Sequence, residues 1–261
     1  MHLSFRKATG IYLVGMLVCT ALNLAGHYLD SLLHTHALFA ILFKLPPIAL
    51  MLGIMLKLRN GKIVCLGKFK TRHLLWLLLP FLFGTLVNLG HPNLAPAIEI
   101  ILLTFTSMIT TIVWEELFFH YVGQMLFERN DRYSICALVV LVLGFGLSHL
   151  CYLILDPHLW EHVLWQTVLT SCFGFFSISL YAKTQNIWIT MLAHLSMNIP
   201  NTVSTLYHEK PYLDDYALIL DSIYCICLVA AGVILYHMNK EKKHLAPLPH
   251  FHHLHHIHHQ H

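Results

Sequence analysis

Charge is what this chain has least of: Asp, Glu, Lys and Arg make up 11% of its 261 residues. Water-soluble domains carry about 25%, so no stretch here is polar enough for a separate soluble domain. Hydrophobic residues reach 57% and the mean hydropathy is +0.63, the composition of an integral membrane protein. The sequence also lacks His-Glu-x-x-His, the zincin spacing, and any ATP-binding motif. Its seven cysteines (Cys19, Cys65, Cys136, Cys151, Cys172, Cys225 and Cys227) show no paired Cys-x-x-Cys spacing and lie mostly in apolar segments. They are expected to be small core residues rather than disulfides or zinc ligands. Behind Arg6-Lys7 the chain is apolar from 11 to 33, too long for a signal peptide and without a small-residue cleavage site. It is expected to be the first span.

What the sequence has instead is a series of long apolar runs. A membrane helix needs roughly 20 mainly apolar residues, and eight runs qualify: 10–32, 37–57, 73–90, 96–119, 134–155, 163–182, 186–206 and 216–238. The expected fold class is all-α, a polytopic membrane helix bundle of about eight transmembrane helices. Pro46-Pro47 should kink the second run, and Gly90-His91-Pro92 should end the third. Charge sets the orientation. With the N-terminus inside, Arg6, Lys7, Lys57, Arg59, Lys62, Lys68, Lys70, Arg72, Arg129, Arg132, Lys183, Lys240, Lys242 and Lys243 all fall on the cytoplasmic side. Outside lie Lys210 and the acids Asp30, Asp156, Glu161, Glu209, Asp214 and Asp215, with Lys44 inside a span. That is the positive-inside distribution, and it places both termini in the cytoplasm.

The chain divides into a transmembrane helical region, 1–243, and a histidine-rich cytoplasmic tail, 244–261. The tail is expected to be disordered and low in complexity. Metal binding is its alternative role, and the interruptions by Phe251, Leu254 and Ile257 set it apart from a purification tag.

Against this background an acidic pair stands out. Glu115-Glu116 closes the apolar run 98–114 and is followed at once by Leu117, Phe118 and Phe119. A charged side chain in the bilayer costs on the order of 2.5–3.5 kcal/mol even on the lenient insertion scale, and as a rule it faces a polar cavity. His120, His149, His194 and Asn198 lie in apolar stretches that could line the same cavity. Residues four apart share a helix face, which pairs Glu116 with His120 and His194 with Asn198. Glu115 points about 100° away from Glu116. At 1.5 Å per residue, His194 lies roughly 12 Å in from Asn186, His149 roughly 22 Å in from Ser134, and Glu115 roughly 18 Å from Phe127. All three fall between the inner leaflet and the midplane. Taken singly, His149 or His194 is as easily a hydrogen-bonded packing residue, and Asn198 could satisfy backbone groups freed by Pro200. Phe118, Phe119 and Phe145 are packing or lipid-facing side chains.

Three stretches carry a family resemblance: Trp114-Glu115-Glu116-Leu117-Phe118-Phe119-His120, Phe145-Gly146-Leu147-Ser148-His149, and His194-Leu195-Ser196-Met197-Asn198. Together they resemble the motifs of the CAAX protease and bacteriocin-processing (CPBP, Abi) family: Glu-Glu-x-x-x-Arg, Phe-x-x-x-His and His-x-x-x-Asn/Asp, in this order on successive membrane helices. The resemblance covers 98–200. It departs at His120, where the family most often has arginine. Histidine can be neutral near pH 7, so any charge pairing there becomes pH-dependent.

The resemblance implies an intramembrane, metal-independent glutamate endopeptidase. Glu115, together with His149, would activate a water. A carboxylate in a poorly hydrated cavity makes a better base for that reason. His194 and Asn198 would donate hydrogen bonds to the oxyanion, and Glu116 would orient a histidine or pair with His120. Partners would be the lipid bilayer and a membrane-anchored peptide or prenylated (CAAX-type) protein, with no nucleic acid. A small enzyme of prokaryotic type fits better than a eukaryotic prenyl-protein protease.

Three alternatives stay open. Glu116, His120, His149 and His194 are ligand types that suit zinc, which in catalytic sites usually takes three protein ligands and a water. The resemblance also admits a bacteriocin self-immunity or scaffold protein that acts by binding. A transporter is the third, although no pair of broken helices repeats across two halves of the chain.

Overall fold

The computed structural model describes residues 4–58, 70–92, 96–127, 134–211 and 216–243. The charges at Arg59, Lys62, Lys68, Arg129, Arg132, Asp214 and Asp215, Cys65, and the tail 244–261 lie outside the described residues.

A helix forms at each of the eight apolar runs: α1 (Phe5–Leu33), α2 (Leu38–Leu58), α3 (Leu75–Asn88), α4 (Ile98–Glu115), α5 (Gly123–Phe127), α6 (Ser134–Leu147), α7 (Tyr152–Leu155), α8 (Trp160–Thr184), α9 (Ile187–Tyr207) and α10 (Ala217–Lys243). Among the described residues, five are long and apolar enough to cross a membrane: Phe5–Leu33, Ile98–Phe127, Ile135–Leu155, Pro157–Thr184 and Ala217–Met238. Leu38–Ile54 is a shorter apolar helix. The protein is thus a multi-pass helical bundle. Its outer surface exposes large aliphatic side chains such as Val14, Leu17, Leu50, Leu102, Ile135 and Ile226. A surface this apolar is the one lipid requires and water would not tolerate.

α2 continues through Pro46 and Pro47 without a break. Elsewhere the helices are interrupted. α4 does not stop at 119: it passes into a π segment, Glu116–Val122, and then into α5. In that segment the Gly123 N–H reaches back to Phe118 O, the i→i−5 bond of a π turn, which recurs at functional sites. The fifth run is likewise composite. α6 gives way at Ser148–Cys151 to a 3₁₀ turn before α7, so His149 sits on that turn rather than on an α-helix. The all-α expectation also misses one short antiparallel pair, β1 (Gly90–Pro92) with β2 (His208–Pro211). These strands follow α3 and α9, which pack together, and hold the two helix ends on one side.

Two caps use buried polar groups in the way a bilayer demands. Asp30, placed on the outer side of the membrane by the charge distribution, is buried at the end of α1. It accepts from Thr35 Oγ1 (2.7 Å) and from the backbone N–H of Phe39 (2.9 Å) and Ala40 (2.8 Å), closing the start of α2. Asn186 Oδ1 accepts from Trp188 N at 3.0 Å and so caps α9.

The core is aromatic and surrounds the π segment. Every side chain from Trp114 to Tyr121 is buried, because this stretch packs against α2, α6, α8 and α9. Tyr12 stacks on Phe118 with ring centroids 5.6 Å apart, Phe118 meets Phe119 edge to face at 5.1 Å, and Phe119 tilts against Phe145 at 4.9 Å. Phe118, Phe119 and Phe145 are therefore packing residues and not lipid-facing. Gly146 lets α6 approach α8 closely: a Cβ there would stand 2.7 Å from Thr167 O.

Candidate active site

The two adjacent glutamates project to different sides of α4. Glu116 is fully buried and crowded with partners. Its Oε1 accepts from His194 Nδ1 at 2.9 Å and lies 3.6 Å from His120 Nε2, while its Oε2 accepts from Ser177 Oγ at 3.2 Å. Three elements thus converge on one carboxylate: α9 with His194, α8 with Ser177, and the π segment with His120. The spacing of four between Glu116 and His120 still brings them together, although the turn between them is wider than an α turn.

Glu115 is placed otherwise. Its one described ion-pair contact is to His194 Nε2, at 3.7 Å from Oε2. Both ring nitrogens of His194 therefore face carboxylates. Phe173 and Phe145 hold the ring from either side, with centroids 4.8 and 6.2 Å away. Glu115 also opens onto a cavity lined by Thr20, Asn23, Trp114, Ser148, His149, Cys151 and Tyr152, with about 10 Å³ available to water centres. That is room for roughly one water.

His149 reaches this cavity in a defined state. Its Nδ1 lies 3.2 Å from Phe145 O, and a carbonyl can only accept, so the hydrogen of the neutral ring is on Nδ1. Nε2 keeps a bare lone pair. The 3₁₀ turn sets this up by bringing His149 back over the carbonyl four residues earlier.

Of the residues singled out from sequence, Glu115, Glu116, His120 and His194 form one contact cluster, and His149 shares the cavity with Glu115. Asn198, one turn beyond His194 on α9, is half-buried, lines none of that cavity and makes no hydrogen bond among the described residues. Also among the described residues, no three His, Cys, Asp or Glu side chains form a set that would hold a metal ion.

Two neighbours of Glu115 were not singled out. Asn23, on α1, lines the cavity and donates through Nδ2 to Tyr152 OH at 3.0 Å. Lys44, on α2, is 3% exposed and donates to Thr111 Oγ1 at 2.7 Å. Thr111 is one turn before Glu115, which places the Lys44 ammonium within electrostatic reach of that carboxylate. The signal for Lys44 was present, since it is the lone charge inside the second apolar run before Lys57 closes it. The rule that singled out the glutamates applies to it equally.

The bundle and this polar cluster define a membrane-embedded helical protein with a buried, two-sided carboxylate centre. Residues 97–200 match the family model of the type II CAAX prenyl endopeptidase Rce1-like proteins. Residues 97–200, which hold all three motifs, are thus Rce1-like, and that family is one of CAAX-type endopeptidases. No curated protein and no solved structure matches the chain.

Proposed function

We propose that this protein is an intramembrane endopeptidase in which Glu115 activates a water for attack on a peptide carbonyl. The observation that carries the reading is the water-sized cavity lined by both Glu115 and His149, with the Nδ1 side of His149 tied to Phe145 O. Glu115 takes a proton from the water as its oxygen bonds to the carbonyl carbon. As the tetrahedral intermediate collapses and the carbon–nitrogen bond breaks, His149 Nε2 takes that proton from Glu115 and hands it to the leaving nitrogen. His194, protonated on both ring nitrogens between the two carboxylates, and the Asn198 amide one turn further along α9, which has no partner among the described residues, are the donors for the oxyanion. Glu116 positions His194. No step needs a metal.

The reading extends to topology. Eight crossings with both termini cytoplasmic are supported by helices at all eight runs and by the β1–β2 pair, which keeps the ends of α3 and α9 on one side as the alternation requires. The substrate is a membrane-anchored peptide or a prenylated protein entering from the lipid, and the host membrane is of prokaryotic type.

The test is cleavage of membrane-anchored and prenylated peptides by purified full-length protein, beside Glu115→Gln and His149→Ala, with and without a strong chelator. Activity lost in both variants and kept under chelation supports the proposal. Activity lost on chelation and restored by zinc replaces it with a metal hydrolase, and undiminished function in Glu115→Gln replaces it with the scaffold or immunity role.

A further inference from the structure

Two residues that line the cavity each carry a buried polar atom with no hydrogen-bond partner among the described residues: Asn23 on α1 with Oδ1 and Trp114 on α4 with the indole Nε1. Both residues are buried, 6% and 4% exposed. Buried polar atoms are almost always paired with protein or ordered water, and no described residue serves these two. Their chemistry is complementary, because a carbonyl oxygen accepts and an indole N–H only donates. The bond from Asn23 Nδ2 to Tyr152 OH fixes the amide so that Oδ1 is the atom left over. Trp114 directly precedes Glu115, and its ring is held by Phe118 and Phe119 at 6.5 and 5.7 Å between centroids. The space they share with Glu115 suits roughly one water, which needs two to four polar partners.

We propose that Asn23 and Trp114 hold and aim the water that Glu115 deprotonates. This rests on the reading of Glu115 as the base. The water gives one hydrogen to Glu115 and the other to Asn23 Oδ1, and takes a hydrogen bond from Trp114 Nε1–H on one lone pair. The second lone pair is then the one free to form the bond to the carbonyl carbon. As that bond forms, the first proton passes to Glu115 and the carbonyl π electrons move to its oxygen. The second O–H stays on Asn23 throughout. Asn23 lies outside the matched residues 97–200, so α1 contributes to the chemistry and is more than packing around it.

Trp114→Phe and Asn23→Leu remove the polar atoms and keep most of the shape. In full-length protein with a cleavable peptide, each is expected to lower kcat by roughly 10–100-fold, up to the loss that a 1 Å misplacement of a reacting group brings, with KM nearly unchanged. The thermal midpoint should hold in Trp114→Phe and fall in Asn23→Leu, which also loses the bond to Tyr152 OH. A lowered midpoint and raised KM in Trp114→Phe without a loss of kcat would overturn the assignment, as would kcat within twofold of wild type in both variants. Failure of the underlying reading is separate, because it appears as retained cleavage in Glu115→Gln. An experimental structure that resolves waters gives a readout independent of activity. A water bonded to Glu115, Trp114 Nε1 and Asn23 Oδ1 is expected; a dry cavity, or a water bonded to neither Asn23 nor Trp114, overturns the proposal.

Discussion

Glu115 and Glu116 are neighbours in the chain and opposites in the fold. The side of α4 that carries Glu116 is closed: the carboxylate has His194, Ser177 and His120 around it and no exposure. The side that carries Glu115 is open: one contact at 3.7 Å, a water-sized cavity, and His149 across it. A carboxylate held on both oxygens by hydrogen bonds orients other groups, whereas one without such bonds can take a proton. Environment divides the labour between two identical side chains, the general pattern by which adjacent carboxyl groups acquire different roles.

The most direct way to break the comparison is to neutralise each carboxylate in turn. Glu115→Gln keeps the size and removes the base. Cleavage is expected to fall by roughly 10⁴-fold, the upper end for a positioned base, while thermal unfolding in detergent or nanodiscs stays at the wild-type midpoint. Glu116→Leu should behave in the reverse sense. Removing one partner of a buried charged cluster costs about 3–5 kcal/mol, so a lowered midpoint and poor recovery are expected before any activity is assayed. If instead Glu116→Leu folds normally and Glu115→Gln does not, the roles of the two sides are exchanged.

Asn198→Leu sharpens the open side. The amide has no partner among the described residues to lose, so stability should hold. If it serves the oxyanion, kcat should fall roughly 10²–10³-fold, the measured range for one such donor. A fall in the midpoint without a loss of kcat would return Asn198 to the backbone-satisfying role beside Pro200.

How much of this was legible in the sequence follows from which distances the chain itself fixes. The apolar runs located the helices because twenty apolar residues have few other uses. Glu115 and Glu116 stood out because charge inside such a run is costly. The split between them was only half visible: helix geometry turns them about 100° apart but does not say that α8 and α9 lie on one side and a cavity on the other. The π segment and the 3₁₀ turn at His149 were invisible, since both arise from packing around buried aromatic rings and not from local propensity. Asn23 was passed over because one amide in a first span carries little signal until its partner, Tyr152, is known to lie beside it, 129 residues away. The capping role of Asp30 was hidden for a similar reason: only the tight turn 34–37 brings the start of α2 back onto its carboxylate.

Lys44 offers the smallest effect and the finest test of the comparison. Its ammonium sits on Thr111, which itself donates to Ser107 O at 2.8 Å, so the threonine hydroxyl stays bonded when the lysine is removed. Lys44→Met keeps most of the apolar stem and replaces a buried charge with a shape the core accepts, an exchange that is often neutral or mildly stabilising. The midpoint should therefore stay level or rise. What changes is the field at Glu115, which loses a nearby cation, and cleavage should fall by roughly three- to tenfold, about 1 kcal/mol. In the Glu115→Gln background the same substitution should change nothing further, because no carboxylate remains there to feel it. A midpoint that drops as far as in Glu116→Leu would instead place Lys44 with the closed side, as a strut between α2 and α4 whose charge is incidental to the chemistry.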